Sequence, residues 1–486
     1  MQLDGPTCYR ALRARDARFD GRFFVAVSST RIYCRPVCTV RPPRRENCSF
    51  YPSAAAAESA GYRPCLRCRP ELAPGLSSVD ARSRLAQAAA SLIEDRIAEE
   101  DGLEAIATRL GVTDRHLRRA FQAEFGVTPV AFAQTQRLLL AKRLLTDTAM
   151  PVTDVAYASG FGSLRRFNAL FRQRYRLQPQ QLRREAAQGT TDAFRFQLGY
   201  RPPYDWPALM AFLSARAIPG VESVAGGRYR RTVGVLAGGK AHAGWIEVRL
   251  AAKRPALEVV LSTSLSRAIP TVLARVKALM DLACDPGPVA EALGALAKDH
   301  PGLRVPGAFD GFELAVRAIL GQQVSVAAAS TLAGRLAAQF GDALETPHTG
   351  LTALFPTAER VAGLEVGEVA KLGLPAARAR TILVLAQAMA EGGLDLRPGA
   401  DLGPTLDALR ALPGVGEWTA QYIAMRALGW PDAFPHSDLG VLKALGTRDP
   451  RRALAAAEAW RPWRAYAVLH LWHSLAKEQA CPSTTR

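Results

Sequence analysis

Apolar side chains at helical spacing recur in two segments of the chain, residues 103–129 and 152–179. The two copies align with a period of 49 to 50 residues, which places Ile106 on Val155. In each copy the pattern predicts a short apolar helix, a turn at glycine, an N-cap hydroxyl and a second helix with one apolar face. The repeat therefore predicts two helix-turn-helix units. Their turn glycines are Gly111 and Gly160, their N-caps are Thr113 and Ser163, and their apolar faces are Leu117, Phe121 and Phe125 or Phe167, Phe171 and Tyr175.

Other patterns predict strands near the N-terminus and in the middle of the chain, and helices beyond it. FFVAV (23–27) is strand-like, and residues 192–233 alternate with period two beside one clear helix, WPALMAFLSARA. From residue 301 onward the apolar spacing is helical. FELAVRAILGQQVSVAAASTLAGRL predicts a helix pair, and two further helices are expected to meet at LPGVG (412–416).

Two short stretches, RPELAPGLSS (69–78) and AAQGTTD (186–192), predict linkers. A chain of 486 residues is too long for one ordinary core, so three or four domains are expected. No apolar run approaches the roughly 18 residues of a membrane helix, and MQLDGPTCYR lacks the apolar stretch of a signal peptide. We therefore expect a cytoplasmic protein. The predicted domains are 1–76, 77–187, 192–300 and 301–486.

Positive charge is unevenly distributed along the chain. The formal net charge is +18, and residues 1–190 hold 30 Lys and Arg against 18 Asp and Glu, an excess of 12. Two thirds of the net charge therefore lies in the first two fifths of the chain. Such an excess indicates a polyanionic partner, and together with helix-turn-helix units it points to double-stranded DNA.

Four of the eight cysteines have the spacing of a metal site. Cys34 and Cys38 form a C-x3-C pair, and Cys65 and Cys68 form a C-x2-C pair a short segment later. This spacing suits tetrahedral zinc, and disulfides are disfavoured in a reducing compartment. Spacing alone favours a small zinc-stapled domain without chemistry of its own. Ordinary thiols are expected at the other four cysteines, Cys8, Cys48, Cys284 and Cys481.

The residues around the cysteines resemble a reactive site. FFVAV, then YCRPVC, REN and SFY, then GYRPCLRC together resemble the N-terminal domain of the Ada family of bacterial methylation-response proteins, over about seventy residues. The resemblance implies one Zn2+ held by all four cysteines and assigns Cys34 as the acceptor of a methyl group from a DNA methylphosphotriester. Four neighbouring arginines either contact phosphates or form a solvated basic loop: Arg35, Arg41, Arg44 and Arg45.

Methyl transfer at such a site changes its charge. Zinc keeps cysteine in the thiolate form, which is the nucleophile. Four thiolates on one Zn2+ carry a formal charge of −2, and converting one to a thioether leaves −1. Because the more negative site repels phosphates, methylation is expected to tighten DNA binding and turn a repair reaction into a switch.

The repeated helical region, with RLLLAKRLL (137–145) between its copies, looks like the two-motif DNA-binding domain of AraC/XylS regulators over residues 81–187. The resemblance implies transcriptional activation, with RNA polymerase as a further partner. We expect the chain to be a monomer. A double helix-turn-helix can also be a purely structural bundle, but its outward faces are basic. The candidate DNA-contacting residues are Arg115, His116, Arg118, Arg119, Arg165 and Arg166.

The last half of the chain carries a second candidate chemistry. Helices joined through LPGVG let Gly414 and Gly416 adopt positive φ and bring backbone N–H groups to a phosphate. PPYDW at 202–206, WTAQY after the loop, an aspartate at 438 and RPWRAYAVLHLW together resemble alkylpurine DNA glycosylases of the AlkA type, which belong to the helix-hairpin-helix superfamily. The resemblance implies that the enzyme flips the damaged nucleotide into a pocket.

That resemblance assigns roles residue by residue. Asp438 is the expected catalytic carboxylate, which stabilises the oxocarbenium-like sugar and activates water. Trp418 stands where glycosylases that also cleave the backbone have lysine, so hydrolysis without lyase action is expected. Gln323 occupies the position of the apolar wedge that fills the gap left by the flipped base. The expected base pocket consists of Trp418, Tyr422 and Trp472, each of which can alternatively be a core residue.

Together the patterns predict a multidomain, mainly α protein. Its parts are a small zinc-stapled α/β domain, an AraC-type double helix-turn-helix, a mixed α/β domain of the AlkA type and an all-α helix-hairpin-helix glycosylase domain. Cys284 and Cys481 lack the PCHRV-type surroundings of a guanine O6 methyltransferase, so that activity is not expected. Two hypotheses follow: a transcriptional activator that also excises alkylated purines, or a methylation-sensing regulator whose glycosylase domain only holds DNA. Asp438 and the aromatics favour the first, and Gln323 alone favours the second.

Overall fold

The structure is a computed structural model that describes residues 4–74, 84–95, 103–182 and 193–480. The predicted linker at 186–192, the domain boundary at 76 and Cys481 lie outside the described residues. Among the described helices none is long and apolar enough to cross a membrane.

The N-terminal domain is a four-stranded sheet that brings its cysteines to one end. Strand order is β3-β1-β2-β4, and the sheet is mixed because β2 and β4 pair in parallel. Parallel pairing aligns the chain directions, so Cys34 at the end of β2 and Cys65 just after β4 meet at the same edge. The elements are α1 (Gly5–Ala14), β1 (Phe24–Val27), β2 (Ile32–Cys34), β3 (Cys48–Tyr51), α2 (Ala54–Ser59) and β4 (Arg63–Pro64).

Both predicted helix-turn-helix units are present. Thr113 Oγ1 accepts from the His116 N–H at 3.3 Å and Ser163 Oγ from the Arg166 N–H at 3.4 Å, so both predicted N-caps are confirmed. The turn glycines Gly111 and Gly160 have positive φ, and both predicted apolar faces are buried. The helices are α3 (Arg84–Asp95), α4 (Leu103–Arg109), α5 (Asp114–Phe125), α6 (Pro129–Asp147), α7 (Val152–Ala158) and α8 (Leu164–Tyr175).

The next region is a five-stranded antiparallel sheet in the order β5-β9-β8-β7-β6, covered by helices. The period-two pattern and the single early helix predicted for residues 192–233 are confirmed as β5, α9, β6 and the start of β7. The elements are β5 (Ala193–Gly199), α9 (Trp206–Ser214), β6 (Glu222–Ala225), β7 (Arg228–Ala237), β8 (Lys240–Leu250), β9 (Ala256–Ser262), α10 (Ile269–Leu279) and α11 (Pro286–Leu293).

From residue 311 onward the described structure is helical, as predicted, and packs around one apolar core. Helix α18 lies in that core, with Ala420, Ile423 and Ala424 fully buried. The helices are α12 (Gly311–Leu320), α13 (Val326–Phe340), α14 (Ala358–Ala362), α15 (Val366–Ala370), α16 (Ala376–Ala390), α17 (Leu402–Ala411), α18 (Glu417–Arg426), α19 (Leu439–Ala444), α20 (Pro450–Ala457) and α21 (Arg464–Ala480).

The first part of the predicted linker at 69–78 is packed rather than free. Glu71 is 3% exposed in its side chain and accepts from Lys142 Nζ at 2.7 Å, and Arg69 pairs with Asp147 at 2.7 Å. These charges attach the end of the zinc domain to helix α6. The linker prediction was wrong for residues 69–74, because Pro and Gly indicate irregular backbone and do not indicate whether that backbone is buried.

The regulatory half packs directly against the rest of the chain. Phe167 and Phe171 of the second helix-turn-helix share one apolar core with Phe196 and Leu198 of strand β5. Arg22 pairs with the buried Asp285 at 3.1 Å, with only 18% of the arginine side chain exposed. A further ion pair joins Arg109 on α4 to Asp395, which lies between α16 and α17.

One buried glutamate bonds to three elements of the regulatory half. Glu58 on α2 accepts from the Tyr33 hydroxyl at 3.0 Å and from Thr135 Oγ1 at 3.1 Å. Its backbone carbonyl accepts from Arg174 on α8 at 3.1 Å. Burial raises the pKa of Glu58 to about 7. The hydrogen bonds from Tyr33 and Thr135 lower this pKa, but burial has the larger effect. Tyr33 directly precedes Cys34, so Glu58 lies between the cysteine cluster and helix α8.

We predict that Glu58→Gln gains stability relative to the wild type as pH rises from 5 to 8. Glutamate in the unfolded chain has its ordinary pKa of 4.5, so between 4.5 and 7 the unfolded state loses its proton first and wild-type stability falls. The relative gain should be about 1–3 kcal/mol at pH 8, measured by denaturant unfolding at each pH.

The matched control is Glu46→Gln, because Glu46 is an exposed glutamate of the same domain. It should show no such pH trend. A difference between Glu58→Gln and wild type that stays constant from pH 5 to 8 would show that the buried carboxyl does not titrate in this range.

Candidate functional site

The four predicted metal ligands lie together. The Sγ atoms of Cys34, Cys38, Cys65 and Cys68 are all within 4.8 Å of one another, the first three buried and the fourth half-buried. Tetrahedral zinc with Zn–S bonds of about 2.3 Å requires sulfur atoms about 3.8 Å apart, so the cluster fits this ion with little adjustment. The donor set is all sulfur, which also suits zinc. The chain therefore has one four-cysteine zinc site.

Arg35 is not available to a phosphate, contrary to one of the two expectations for the basic loop. It is buried, and its guanidinium group pairs with Asp20 through Nε and Oδ1 at 2.8 Å. It also donates through Nη1 to the Cys68 carbonyl at 3.1 Å and through its backbone N–H to Cys68 Sγ at 3.3 Å. A buried guanidinium needs such partners, so Arg35 supports the metal-binding loop. The other three, Arg41, Arg44 and Arg45, are exposed.

The candidate DNA-contacting side chains all lie on outward faces. Arg115, His116, Arg118 and Arg119 are exposed on α5, while Leu117 between them is fully buried. Arg165 and Arg166 are exposed at the start of α8. Arg118 pairs with Asp114 at 2.7 Å, one turn earlier on the same helix. Both second helices thus present cations to solvent and bury their aromatic rings, as the repeat predicted.

The helix hairpin between α17 and α18 has one left-handed glycine instead of two. Gly414 has φ +86°, and a Cβ there would lie 2.2 Å from Thr381 Oγ1, so no other residue fits. Gly416 has φ −91° and ψ 178°, so the predicted positive φ was wrong. Gly416 is instead the exposed N-cap of α18, without a side chain over the helix end. Its lack of a side chain leaves the positive end of α18 open to an anion.

Asp438 accepts three N–H groups from three parts of the chain. Its Oδ2 accepts from Trp418 Nε1 at 2.9 Å, and its Oδ1 accepts from Trp472 Nε1 at 2.8 Å and from the Val441 backbone N–H at 3.0 Å. The last bond makes Asp438 the N-cap of α19. An ionised carboxylate is an acceptor-only group, so the site matches that form and fixes both oxygens.

Half-buried aromatic rings surround this carboxylate. Trp418 and Tyr422 lie one turn apart on α18 and stack at 5.3 Å with planes 16° apart. Tyr422 and Trp472 are 6.3 Å apart, and Trp472 stacks on Phe212 of α9, also at 6.3 Å. The structure therefore brings together all three predicted pocket residues and Asp438. It adds Phe212, which comes from the preceding α/β region.

Two arginines lie behind the pocket. Arg426 donates to the Tyr422 hydroxyl at 2.8 Å, and Arg216 lies 3.8 Å from the centre of the Phe212 ring. Burial alone raises the pKa of the Tyr422 phenol, but the guanidinium groups of Arg426 and Arg216 outweigh burial and lower that pKa below its ordinary value of 10.0. The hydroxyl of Tyr422 thus serves as an acceptor, and its ring stacks on Trp418.

The turn between α12 and α13 lies against the hairpin loop. The Gln322 side chain donates to the Gly414 carbonyl and to Thr419 Oγ1, both at 3.0 Å. The Gln322 carbonyl accepts from Arg378 at 2.7 Å. Gln323 is the next residue and is exposed, with a left-handed backbone at φ +55°. The predicted wedge residue is therefore presented to solvent from a fixed turn.

Sequence patterns missed two residues of this site, Phe212 and Gly440. Phe212 is one apolar residue among many in WPALMAFLSARA, so nothing local separates it from core residues. At Gly440 a Cβ would lie 2.9 Å from Trp472 Cδ1 and 3.1 Å from Asp438 Oδ1. Glycine is a poor helix former, so its presence in the first turn of a short helix was the sequence signal that could have identified Gly440.

Four protein-family models match successive parts of the chain. The model described as "Metal binding domain of Ada" matches residues 7–71, and "Helix-turn-helix domain" matches 106–185. "AlkA N-terminal domain" matches 195–310, and "HhH-GPD superfamily base excision DNA repair protein" matches 316–461. The order of these models along the chain confirms the resemblances drawn from the sequence.

Three curated relatives cover different shares of the chain. A Mycobacterium tuberculosis protein, "Probable bifunctional transcriptional activator/DNA repair enzyme AlkA", is 43% identical over 98% of this chain and 97% of that protein. "DNA-3-methyladenine glycosylase 2" of Escherichia coli is 37% identical over 57% of this chain and 97% of that enzyme. "Bifunctional transcriptional activator/DNA repair enzyme Ada" of Escherichia coli is 40% identical over 32% of this chain and 42% of that protein.

We predict that Gly440→Ala displaces Trp472 and lengthens or breaks its hydrogen bond to Asp438. A Cβ at 2.9 Å from the indole ring requires movement of the ring or of helix α19, and such overpacking costs about 1–3 kcal/mol. The change should appear as a shifted Trp472 indole N–H resonance and a lower denaturant midpoint.

Gly367→Ala is the control, because Gly367 is likewise the second residue of a short helix but has open space around its Cβ position. That variant should be neutral or slightly stabilised. Equal effects from both substitutions would contradict a specific role for Gly440.

Proposed function

The chain belongs to the family of bifunctional transcriptional activator and DNA repair enzymes AlkA, and on that premise we propose that it takes methyl groups from alkylated DNA onto Cys34 and excises alkylated purines at Asp438. The observation that carries the second activity is the convergence of Trp418, Trp472 and the start of α19 on one carboxylate beside an aromatic pocket. The first activity is supported by the four-cysteine cluster in a domain matched by the Ada metal-binding model.

The position of Asp438 supports base excision. As the bond between purine and sugar breaks, positive charge develops on the sugar, and a fixed anion stabilises that charge. The same carboxylate can accept a proton from the attacking water. Both indole N–H groups hold it in place before the reaction, so little reorganisation is needed. Release of the purine leaves an abasic sugar in an intact strand.

The aromatic pocket supports preference for a charged leaving base. Alkylation at N3 or N7 gives a purine positive charge, and ring faces attract cations by about 1 kcal/mol. Arginine guanidinium groups already lie over Phe212 and Tyr422. In the described part of the chain, no arginine or lysine lies over the ring of Trp418 or Trp472. We therefore assign these two indole rings to the cationic base. Trp418 also replaces the lysine of lyase-active relatives, so we propose hydrolysis alone.

Methyl transfer at Cys34 is a direct displacement. Bound zinc supplies thiolate character to the cysteine sulfurs at neutral pH. The Cys34 sulfur attacks the methyl carbon of the phosphotriester; an S–C bond forms, the C–O bond breaks, and the phosphate oxygen keeps the electron pair. The DNA regains its phosphate charge and the cysteine cluster loses one negative charge, which we propose tightens DNA binding.

The helix-turn-helix region converts this change into transcription. The exposed cations of α5 and α8 are proposed to enter the major groove, where arginine pairs with guanine edges or with phosphates. We propose that the methylated chain binds promoter DNA as a monomer and recruits RNA polymerase. The ion pairs Arg22–Asp285 and Arg109–Asp395 join the two halves, which supports sensing and excision by one molecule.

We predict that Asp438→Asn lowers single-turnover release of 3-methyladenine and 7-methylguanine from alkylated duplex DNA by about 100-fold or more. Asparagine keeps the shape but supplies neither the negative charge nor the base. Asp449→Asn is the control, since Asp449 is also a helix N-cap and lies exposed at the start of α20. Release that is equal in Asp438→Asn and wild type would rule out this carboxylate. A wild type that releases no base would indicate a regulator without excision activity.

We predict that Cys34→Ala abolishes transfer of radiolabelled methyl from methylated DNA to the protein and also removes activation of transcription by alkylated DNA. Cys48→Ala, at a buried cysteine outside the cluster, should retain both. Zinc per chain is measured for both variants, so that loss of the methyl acceptor is distinguished from loss of the metal. Methyl uptake in a zinc-loaded Cys34→Ala chain would move the acceptor to another cysteine.

A further inference from the structure

The segment 300–304, between α11 and α12, lies against the residues that lead into helix α9. The Asp205 backbone N–H donates to the Gly302 carbonyl at 2.9 Å. A Cβ at Gly302 would lie 2.7 Å from the Tyr204 backbone nitrogen, so the two stretches of backbone are in direct contact. The start of α9 is therefore fixed to this segment.

His300 adds a side-chain bond at the same place. Its Nδ1 lies 2.7 Å from Asp205 Oδ2, while Asp205 Oδ1 caps α9 by accepting the Ala208 N–H at 3.0 Å. Burial alone raises the pKa of the Asp205 carboxyl, but the bonds from His300 and the Ala208 N–H bring this pKa below its ordinary value. An ionised carboxylate only accepts hydrogen bonds, so Nδ1 of His300 carries the proton and donates.

The His300 ring also meets helix α21. It packs edge-on against the His473 ring, with ring centres 4.3 Å apart and planes 67° apart. His473 directly follows Trp472 in the chain. One turn earlier, His470 is buried, and burial together with the two neighbouring imidazoles lowers its pKa to about 4. His470 is therefore uncharged at neutral pH and adds no positive charge beside the other two rings.

Each of the two helices in contact with His300 carries one ring of the aromatic pocket. Helix α9 carries Phe212, two turns after Asp205, and α21 carries Trp472. These two rings stack at 6.3 Å with planes 18° apart. A helix moves as a unit because its backbone is bonded along its length. The contacts of His300 at the start of α9 therefore restrain the ring near the end of α9.

We propose that His300 is a positioning residue for base excision, because it ties α9 to α21 and so holds the Phe212 ring against Trp472. The inference rests on the proposed base excision and adds to it a residue that acts through the pocket wall. Replacing the imidazole removes the side-chain bond to Asp205 and the ring contact with His473. The backbone bond to Gly302 remains, so α9 stays attached while its ring gains freedom.

The test is a double-mutant cycle between His300 and Phe212. Wild type, His300→Leu, Phe212→Ala and the double variant act on a duplex that carries one 7-methylguanine. The single-turnover release rate at saturating enzyme and the Kd for the duplex are measured separately. If His300 acts through the Phe212 ring, removing that ring also removes the effect of His300 on the release rate.

We expect His300→Leu to slow release about 3- to 10-fold and to change Kd by less than about 2-fold, because misplaced pocket groups slow the reaction more than they weaken binding. In a chain that already carries Phe212→Ala, His300→Leu should slow release by less than about 2-fold. His300→Asn places an amide N–H close to the position of Nδ1, so it should release base faster than His300→Leu. His242→Asn, at a half-buried histidine of β8, should match the wild type.

A second measurement needs no base release. The indole N–H resonance of Trp472 senses the ring stacked on it, so it should shift in His300→Leu and stay in place in His242→Asn. An unchanged resonance in His300→Leu would contradict the positioning role.

Three kinetic results would also overturn the inference. Equal slowing by His300→Leu with and without the Phe212 ring would show that His300 does not act through this wall. Equal rates for His300→Asn and His300→Leu would exclude the bond to Asp205. A wild type that releases no base would overturn the proposed excision and the inference with it, and is distinguished from the other results by its inactivity.

Discussion

Buried ion pairs between domains hold the molecule together. Glu71 of the zinc domain is paired with Lys142 of helix α6 within the regulatory half, and Arg22 is paired with Asp285 across the two halves, with little solvent access to either carboxylate. Removing one member of such a pair leaves an uncompensated charge and costs about 3–5 kcal/mol. Separating the domains would therefore leave these charged groups without their partners and require water to hydrate them. This constraint orients the cysteine cluster and the aromatic pocket within one framework.

The two candidate sites use the same principle in opposite ways. In the proposed excision, three N–H donors hold the negative charge of Asp438 where it stabilises a positive sugar. In the proposed methyl transfer, the negative charge of the cysteine cluster repels DNA until methylation of one sulfur removes part of it. The first site would keep its charge to stabilise the transition state, and the second would lose charge in a single reaction. Arg35, buried beside Cys68, helps to hold the second charge in the folded chain.

Local patterns predicted the elements of the fold but not the approach of distant elements. The N-caps Thr113 and Ser163 were predictable because a cap bonds within three residues of itself. The burial of Arg35 was not, since its partner Asp20 is fifteen residues away and both types are usually exposed. Gly416 was assigned positive φ from its type alone, although glycine also serves as an extended N-cap. The role of Phe212 depends on packing between separate domains, which periodicity does not encode.

The wall formed by Phe212 has a consequence for how the pocket can be altered. Because this ring comes from α9 and stacks on Trp472 of α21, the aromatic cluster beside Asp438 is built from two domains. A substitution that shifts α9 would move this wall while leaving Asp438 and its three N–H partners in place. The width of the site can therefore be changed from a domain that contributes none of the groups bonded to the carboxylate.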